Sequence, residues 1–508
     1  MTEKSAKVTS PNNMFSLHRR AGVLLHPTSL PGMLSNGDFG HEAYRFIEFL
    51  HANQFKVWQM LPLGPTLEDK SPYQSLSAHA GNPHLISLDW LVDKGWLDKE
   101  HINLCESQAT YRHECLKFAA TTFYQSPHWF NQLELFRQKN DYWLRDFALF
   151  MALKQKYNGA PWYEWPRKYR HRDETSLQAA SEELQIEIKQ IIFEQFVFFT
   201  QWSEIKAYAN KHEVELYGDM PIFMGVDSAD VWAHHENFLI DQDGNQTYVS
   251  GVPPDAFSDT GQRWGNPLYN WEKMQEDGFA WWKQRFKTQL ELFDIIRLDH
   301  FRGLEACWYI PANQDTAENG FWQKVPGDSL LKHLFEEFES LPLIAEDLGV
   351  ITDEVIALKD KFNLPGMRVL QFAFDANNQN PHLPHNYTSQ DVVYTGTHDN
   401  DTTMGWLNSR QYHIAFLNQY LGRHVIDECM NCEQFIDENN MLSIIQLAMS
   451  SVAFLCVIPM QDILALGTEA RMNIPGTVEN NWLWRFNWDQ VKPEHLQKIQ
   501  QLIEIYAR

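Results

Sequence analysis

Apolar residues in this chain fall into short, nearly unbroken runs separated by longer stretches of helical period. Eight runs rich in Val, Ile, Leu and Tyr read as buried strands: Gly22–His26, Val57–Pro62, Val214–Ile222, Asp294–Phe301, Leu341–Asp347, Met367–Phe374, Val392–Thr397 and Val452–Pro459. Such runs mark strands covered on both faces, as in a parallel sheet. Helical patterns flank them. His41–Asn53 offers an apolar stripe of Tyr44, Phe46, Ile47, Phe49 and Leu50; Leu330–Phe338 precedes the fifth run; Asp353–Phe362 follows it, with Thr352 or Asp353 as N-cap. Eight strands alternating with helices predict an α/β fold of the (β/α)8, or TIM-barrel, type.

A bare barrel takes about 250 residues, and the chain has 508, so roughly half must be insertion. The longest gap, about 63–213, carries helical period over Tyr111–Phe123, Asp141–Tyr157 and Ser176–Lys211 and predicts a largely helical subdomain. A second gap, about 224–293, holds the Gly- and Pro-rich stretches 251–258 and 260–267, which predict lid and cleft loops with little regular structure. Residues 1–20 read as a flexible N-terminal segment and 21–508 as a single catalytic barrel. The first twenty residues contain no apolar core of a secretory signal. Ser443–Gly467, the most apolar long stretch, is interrupted by polar residues and a proline, and reads as a buried helix followed by a buried strand.

Composition narrows the function. Lys and Arg number 42 against 66 Asp and Glu, a formal charge of −24. That excludes a nucleic-acid binder, which needs a basic face, and disfavours docking on an anionic membrane. Six cysteines are sparse for this length and suit a reducing cytoplasm. Cys429 and Cys432 have metal-like spacing but no second pair at zinc-finger distance, so they read as two thiols. The chain is rich in flat rings, with 19 Trp, 18 Tyr and 32 Phe.

In a barrel the C-terminal ends of the strands face the active site. Here four of them carry acids: Asp219, Asp299, Glu346 with Asp347, and Asp399 with Asp401. One acid at a strand end is an ordinary helix cap; four together call for another reason, because clustered buried carboxylates are costly. Strand alternation sorts them. Arg297 and Asp299 are two apart and share a face, so the cation favours an ionised Asp299 suited to nucleophilic attack. Glu346 follows the apolar run Leu343-Ile344-Ala345, a setting in which a carboxyl holds its proton, and Asp347 points the other way. Two carboxyls in opposite protonation states are what glycoside chemistry requires. His398 and Asp399 together could hold vicinal hydroxyls. Sugar rings pack their C–H faces on flat aromatics, and Tyr73, Trp264, Trp482 and Trp484 lie outside the core runs.

Ten ordered segments carry a family resemblance: His26-Pro-Thr-Ser-Leu-Pro-Gly32, Trp58 to Thr66, Ser71-Pro-Tyr73, Ala80-Gly-Asn-Pro83, Gly218-Asp219-Met-Pro-Ile-Phe223, Gly251 to Tyr269, Ile296 to Gly303, Ala345 to Gly349, Thr397-His-Asp-Asn400 and Ala470 to Gly476. They span residues 22 to about 486. The chain resembles glycoside hydrolase family 77, the amylomaltases or disproportionating 4-α-glucanotransferases of the α-amylase clan. The resemblance implies a retaining double displacement on α-1,4-glucans and maltooligosaccharides as donor and acceptor, with no metal and no organic cofactor. It matches Asp299 to the nucleophile, Glu346 to the acid/base and Asp399 to the third, transition-state-stabilising acid. It matches Arg297 and His398 to their partners, and Tyr73, Asp219, Asp255, Gln262, Trp264, His300, Asp375 and Asn473 to the lining of the glucan cleft. Two other readings remain at this stage: an α-amylase-like hydrolase on the same barrel, and a glucan-binding protein on an inactive one.

Overall fold

The computed structural model describes residues 18–32, 36–105, 111–254, 258–409, 411–421 and 438–508. Its twelve strands are β1 (Arg20–Leu24), β2 (Val57–Gln59), β3 (Glu215–Met220), β4 (Tyr248–Val252), β5 (Gln262–Pro267), β6 (Ile295–Leu298), β7 (Ala306–Pro311), β8 (Phe321–Lys324), β9 (Leu343–Ala345), β10 (Gly366–Val369), β11 (Asp391–Tyr394) and β12 (Leu455–Pro459). Eight of them form one parallel sheet in the order β10-β11-β12-β1-β2-β3-β6-β9. Its two ends approach each other: the Ala345 N–H donates to the Pro365 carbonyl, 2.8 Å, just ahead of β10. These eight are the eight apolar runs of the sequence, and the fold is a (β/α)8 barrel. Most of the runs extend past the strands on the C-terminal side, because the residues that follow stay largely buried at the rim.

Alternation along the strands divides two cores. One face of the barrel strands fills the interior with Leu24, Val57, Tyr217, Ile295, Ile344, Met367, Val369, Val392, Tyr394, Leu455 and Val457. The other face packs on the surrounding helices in a larger core. Tyr217 and Tyr394 meet across the interior, hydroxyl to hydroxyl at 3.2 Å, which satisfies polar atoms that burial would otherwise strand. The outer ring departs from the ideal between β10 and β11, where the chain crosses in short 3-10 turns with no α-helix.

The helical gap folds as its period predicts, with helices at Tyr111–Gln125, Asp141–Lys156, Glu174–Glu183 and Gln185–Lys211, the last two divided at Leu184. The middle of the 27-residue helix Gln185–Lys211, residues 191–198, is buried all round because it is covered by helices of the insertion on one side and by the barrel on the other; the helix leads directly into β3.

The Gly- and Pro-rich gap is more regular than its composition predicts. β4 and β5 lie within it and join β7 and β8 in a four-stranded antiparallel sheet, ordered β5-β4-β7-β8. Two helices, Trp271–Glu276 and Ala280–Leu292, follow. Glycine has a packing reason here: a side chain at Gly251 would meet the Gln262 carbonyl and the Ile310 side chain of the neighbouring strands. Ser443–Gly467 forms the end of helix Glu438–Ser450 and then β12, and no helix among the described residues is long and apolar enough to cross a membrane. Cys429 and Cys432, and residues 1–17, lie outside the described residues.

Candidate active site

Register builds the site. In the β3–β6 ladder Tyr217 pairs with Ile295 and Asp219 with Arg297; in the β6–β9 ladder Arg297 pairs with Ile344. The interior face therefore ends, at the C-terminal rim, in Asp219, in Arg297 followed by Asp299, and in Glu346. Arg297 is the hub. One guanidinium nitrogen donates to both oxygens of Asp219 at 2.7 Å and lies 2.9 Å from Asp299 Oδ1. The two acids differ in access: 1% of the Asp219 side chain is exposed, against 25% of Asp299. Asp219 is thus consumed in holding Arg297, while Asp299 presents an oxygen to the cleft. Burial opposes the charge on Arg297, but Asp219 and Asp299, with Tyr73 and Glu346 farther off, outweigh it and push its pKa up.

Glu346 is buried next to this hub. Burial pushes its carboxyl up to about 8; Asp299 adds to the shift, while Arg297 and two main-chain N–H groups oppose it. Those N–H groups belong to His300, 2.7 Å from Oε2, and Leu348, 3.1 Å from Oε1. Asp347 turns outward as alternation predicts, bound to Lys359 at 2.7 Å and to the Met367 N–H at 2.7 Å, and so serves the barrel wall.

On the other side of the rim, Tyr73 donates its hydroxyl to Asp219 Oδ2 at 2.7 Å. Burial and the Asp219 charge raise its pKa well above the ordinary phenol value, so it stays a neutral donor. Its ring stacks on His398 at 5.2 Å, and Trp482, half-buried, lies 6.0 Å from each. His398 Nε2 is 3.3 Å from Asp399 Oδ1, which also accepts from the Asn473 amide at 2.7 Å. Gln262 and Trp264 enter from β5: the Trp264 indole donates to Gln262 Oε1 at 3.1 Å and meets the His300 ring edge-on at 4.9 Å. Burial pushes the His300 imidazole down to about 4.

Eleven of the thirteen sequence candidates are thus joined in one contact network around Arg297, Tyr73 and Glu346. Asp375 stands outside it, in an exposed turn where its carboxylate accepts the Asn377 N–H at 3.0 Å. Asp255 lies outside the described residues. Sequence reading passed over Arg471, which donates to the Asp399 carbonyl and to the Asn473 carbonyl, both at 2.7 Å, and so ties these two residues together. Its position two residues before Asn473 in the Ala470–Gly476 segment was the available signal. His26 was also passed over as a site residue; it lines a small cavity with His398 and Arg471, and burial, then His398, push its imidazole down to about 3.

Comparison with known proteins decides the family. The family described as 4-alpha-glucanotransferase, glycoside hydrolase family 77, matches residues 25–491. The chain belongs to glycoside hydrolase family 77. It is similar to the 4-alpha-glucanotransferase of Thermus thermophilus, 47% identical over 97% of this chain and 99% of that protein, and to that of Synechocystis, 45% identical over 96% and 98%. Among solved structures it is similar to an amylomaltase from Streptococcus agalactiae in complex with acarbose, with a TM-score of 0.91, 35% identity and coverage of 96% of this chain and 99% of that one. As a family 77 member the chain is a 4-α-glucanotransferase.

Proposed function

We propose that this chain moves segments of α-1,4-glucan between maltooligosaccharides by a retaining double displacement, with Asp299 as nucleophile and Glu346 as acid/base. The observation that carries these roles is the pair of carboxyls with opposite environments at one rim: Asp299 ion-paired and open to the cleft, Glu346 buried and holding its proton to about pH 8. Glu346 protonates the leaving oxygen while Asp299 attacks the anomeric carbon. The resulting glycosyl ester is then taken by an acceptor hydroxyl that Glu346, now a base, deprotonates. Two inversions return the α configuration. In this reading Asp399 grips hydroxyls of the transferred ring, a role supported by its hydrogen bond from Asn473, its carbonyl's bond from Arg471 and His398 at its side. Tyr73, Trp482 and Trp264 offer apolar rings for the sugar faces.

A reducing cytoplasm is the compartment we propose, supported by two buried thiols, Cys307 and Cys456, that form no disulfide. Acarbose, seen in complex with the Streptococcus agalactiae amylomaltase, is a ligand expected to fit this cleft.

Incubation with maltotriose tests the reading. Transfer yields maltotetraose and longer chains together with glucose; a ladder containing only shorter sugars sinks the transferase reading in favour of hydrolysis. Asp299→Asn tests the chemistry: turnover is lost while maltooligosaccharide binding persists, and retained turnover removes Asp299 from its role.

A further inference from the structure

The two N–H groups that hold Glu346 come from different segments. His300 belongs to the turn Asp299–Leu304 leaving β6, and Leu348 to the loop leaving β9. The first of these segments has a strained shape: His300 sits in the left-handed region at φ 49°, ψ 52°, which a non-glycine residue seldom adopts. Local preference does not hold such backbone in place; tertiary contacts must.

Arg302 makes one. It lies in the first segment, is buried, and donates from its guanidinium to the Val350 carbonyl of the second at 2.9 Å. Its guanidinium carbon lies 3.9 Å from the ring centroid of Trp322 on β8. The antiparallel sheet thus braces a cation that bridges the two donors of Glu346.

We propose that Arg302 is a positioning residue for Glu346: by tying Val350 to the turn of His300, against Trp322, it keeps both main-chain donors on the carboxyl. The inference rests on the acid/base reading of Glu346. The charged groups facing Glu346 itself are Arg297 and Asp299 at the end of β6, and those facing Arg302 are Glu305 and Glu354. When the clamp loosens, the carboxylate loses hydrogen bonds that favour its charged form, and the carboxyl holds its proton to higher pH. The leaving oxygen is also met by a less well-aimed acid.

The test is a pH profile of kcat/KM for maltotriose in Arg302→Met, Arg302→Lys and Trp322→Leu. Arg302→Met is expected to lose about tenfold or more, to shift its basic limb upward by about half a unit or more, and to keep near-normal glycosylation with an aryl α-maltoside whose leaving group needs no proton. Arg302→Lys, which retains a donor over Trp322, is expected to recover to within about threefold. Trp322→Leu keeps the cation and so separates its charge from its placement; a limb shifted upward is expected here too. Equal losses on both substrates with an unmoved limb overturn the proposal and leave Arg302 a structural residue. If Arg302→Met does not fold, Trp322→Leu decides by the same criterion. Glu346→Gln keeps the two levels apart. If it still turns over maltotriose, the acid/base reading fails; if it is inactive while the Arg302→Met limb stays put, only this inference fails.

Discussion

The ring of Tyr73 lies nearly parallel to the imidazole of His398, 16° between planes and 5.2 Å between centroids, while its hydroxyl reaches the other way to Asp219. One side chain from the loop after β2 thus links two strand ends on opposite sides of β1 and β12. The ring and the hydroxyl do separable work. Tyr73→Phe removes only the donor to a buried carboxylate, a loss of about 1–3 kcal/mol, and is expected to lower kcat/KM by about tenfold or more. Tyr73→Ala removes the ring as well and is expected to cost at least tenfold beyond that. Equal activity for the two variants, measured on maltotriose, overturns this division.

Glu346 carries a pH prediction. Burial raises its carboxyl to about 8, so the acid form persists through neutrality and is lost as pH rises through that value. The basic limb of kcat/KM for maltotriose should therefore fall near pH 8, well above an ordinary carboxylate. A limb below pH 6 contradicts the environment described for Glu346.

Glu194, within helix Gln185–Lys211, is buried with the Gln190 amide at 2.9 Å as its hydrogen-bond partner, and burial raises its carboxyl to about 7. A folded-state pKa above the unfolded one contributes stability that is full below the ordinary Glu value and is lost as pH rises through about 7. Glu194→Gln removes the titration. Its Tm relative to the parent should rise between pH 5 and pH 8, by an amount corresponding to about 2–3 kcal/mol. A difference that stays flat over that range contradicts the prediction.

Gly218 precedes Asp219 on β3, on the outward face. A Cβ there would come within 2.1 Å of the ring of Phe293, which is buried. Gly218→Ala should destabilise the fold by about 1–3 kcal/mol and, by shifting β3, disturb Asp219. Denaturant unfolding alongside activity checks both; an unchanged midpoint shows that Phe293 can yield.

The barrel was legible because parallel strands buried on both faces leave continuous apolar runs, and all eight runs are strands. Alternation then sorted part of the rim: Arg297 and Asp299 share a face and Asp347 turns away from Glu346, as period two requires, while the register of β3 on β6 brought Asp219 to the same side. The antiparallel sheet was not legible. β4 and β5 carry Gly251, Gly265 and Pro267, and they form strands because they pair with each other and β4 pairs with the distant β7, which no local pattern reports.

The sequence by itself determined that Asp299 shares a face with Arg297, that Asp347 turns away from Glu346 and, through its ordered motifs, the family; all of this is carried in the order of residues along the chain. Tertiary structure alone decided how those acids divide their labour. The sequence places Arg297 two residues from Asp299, but only the β3–β6 register sets Asp219 beside it, making Asp219 the buried anchor and leaving Asp299 open. Likewise nothing local brings Tyr73, His398 and Trp482 together, or sets Arg302 against Trp322 behind Glu346. Burial and the distances between charges belong to the folded chain, and they set the protonation state of a carboxyl such as Glu346.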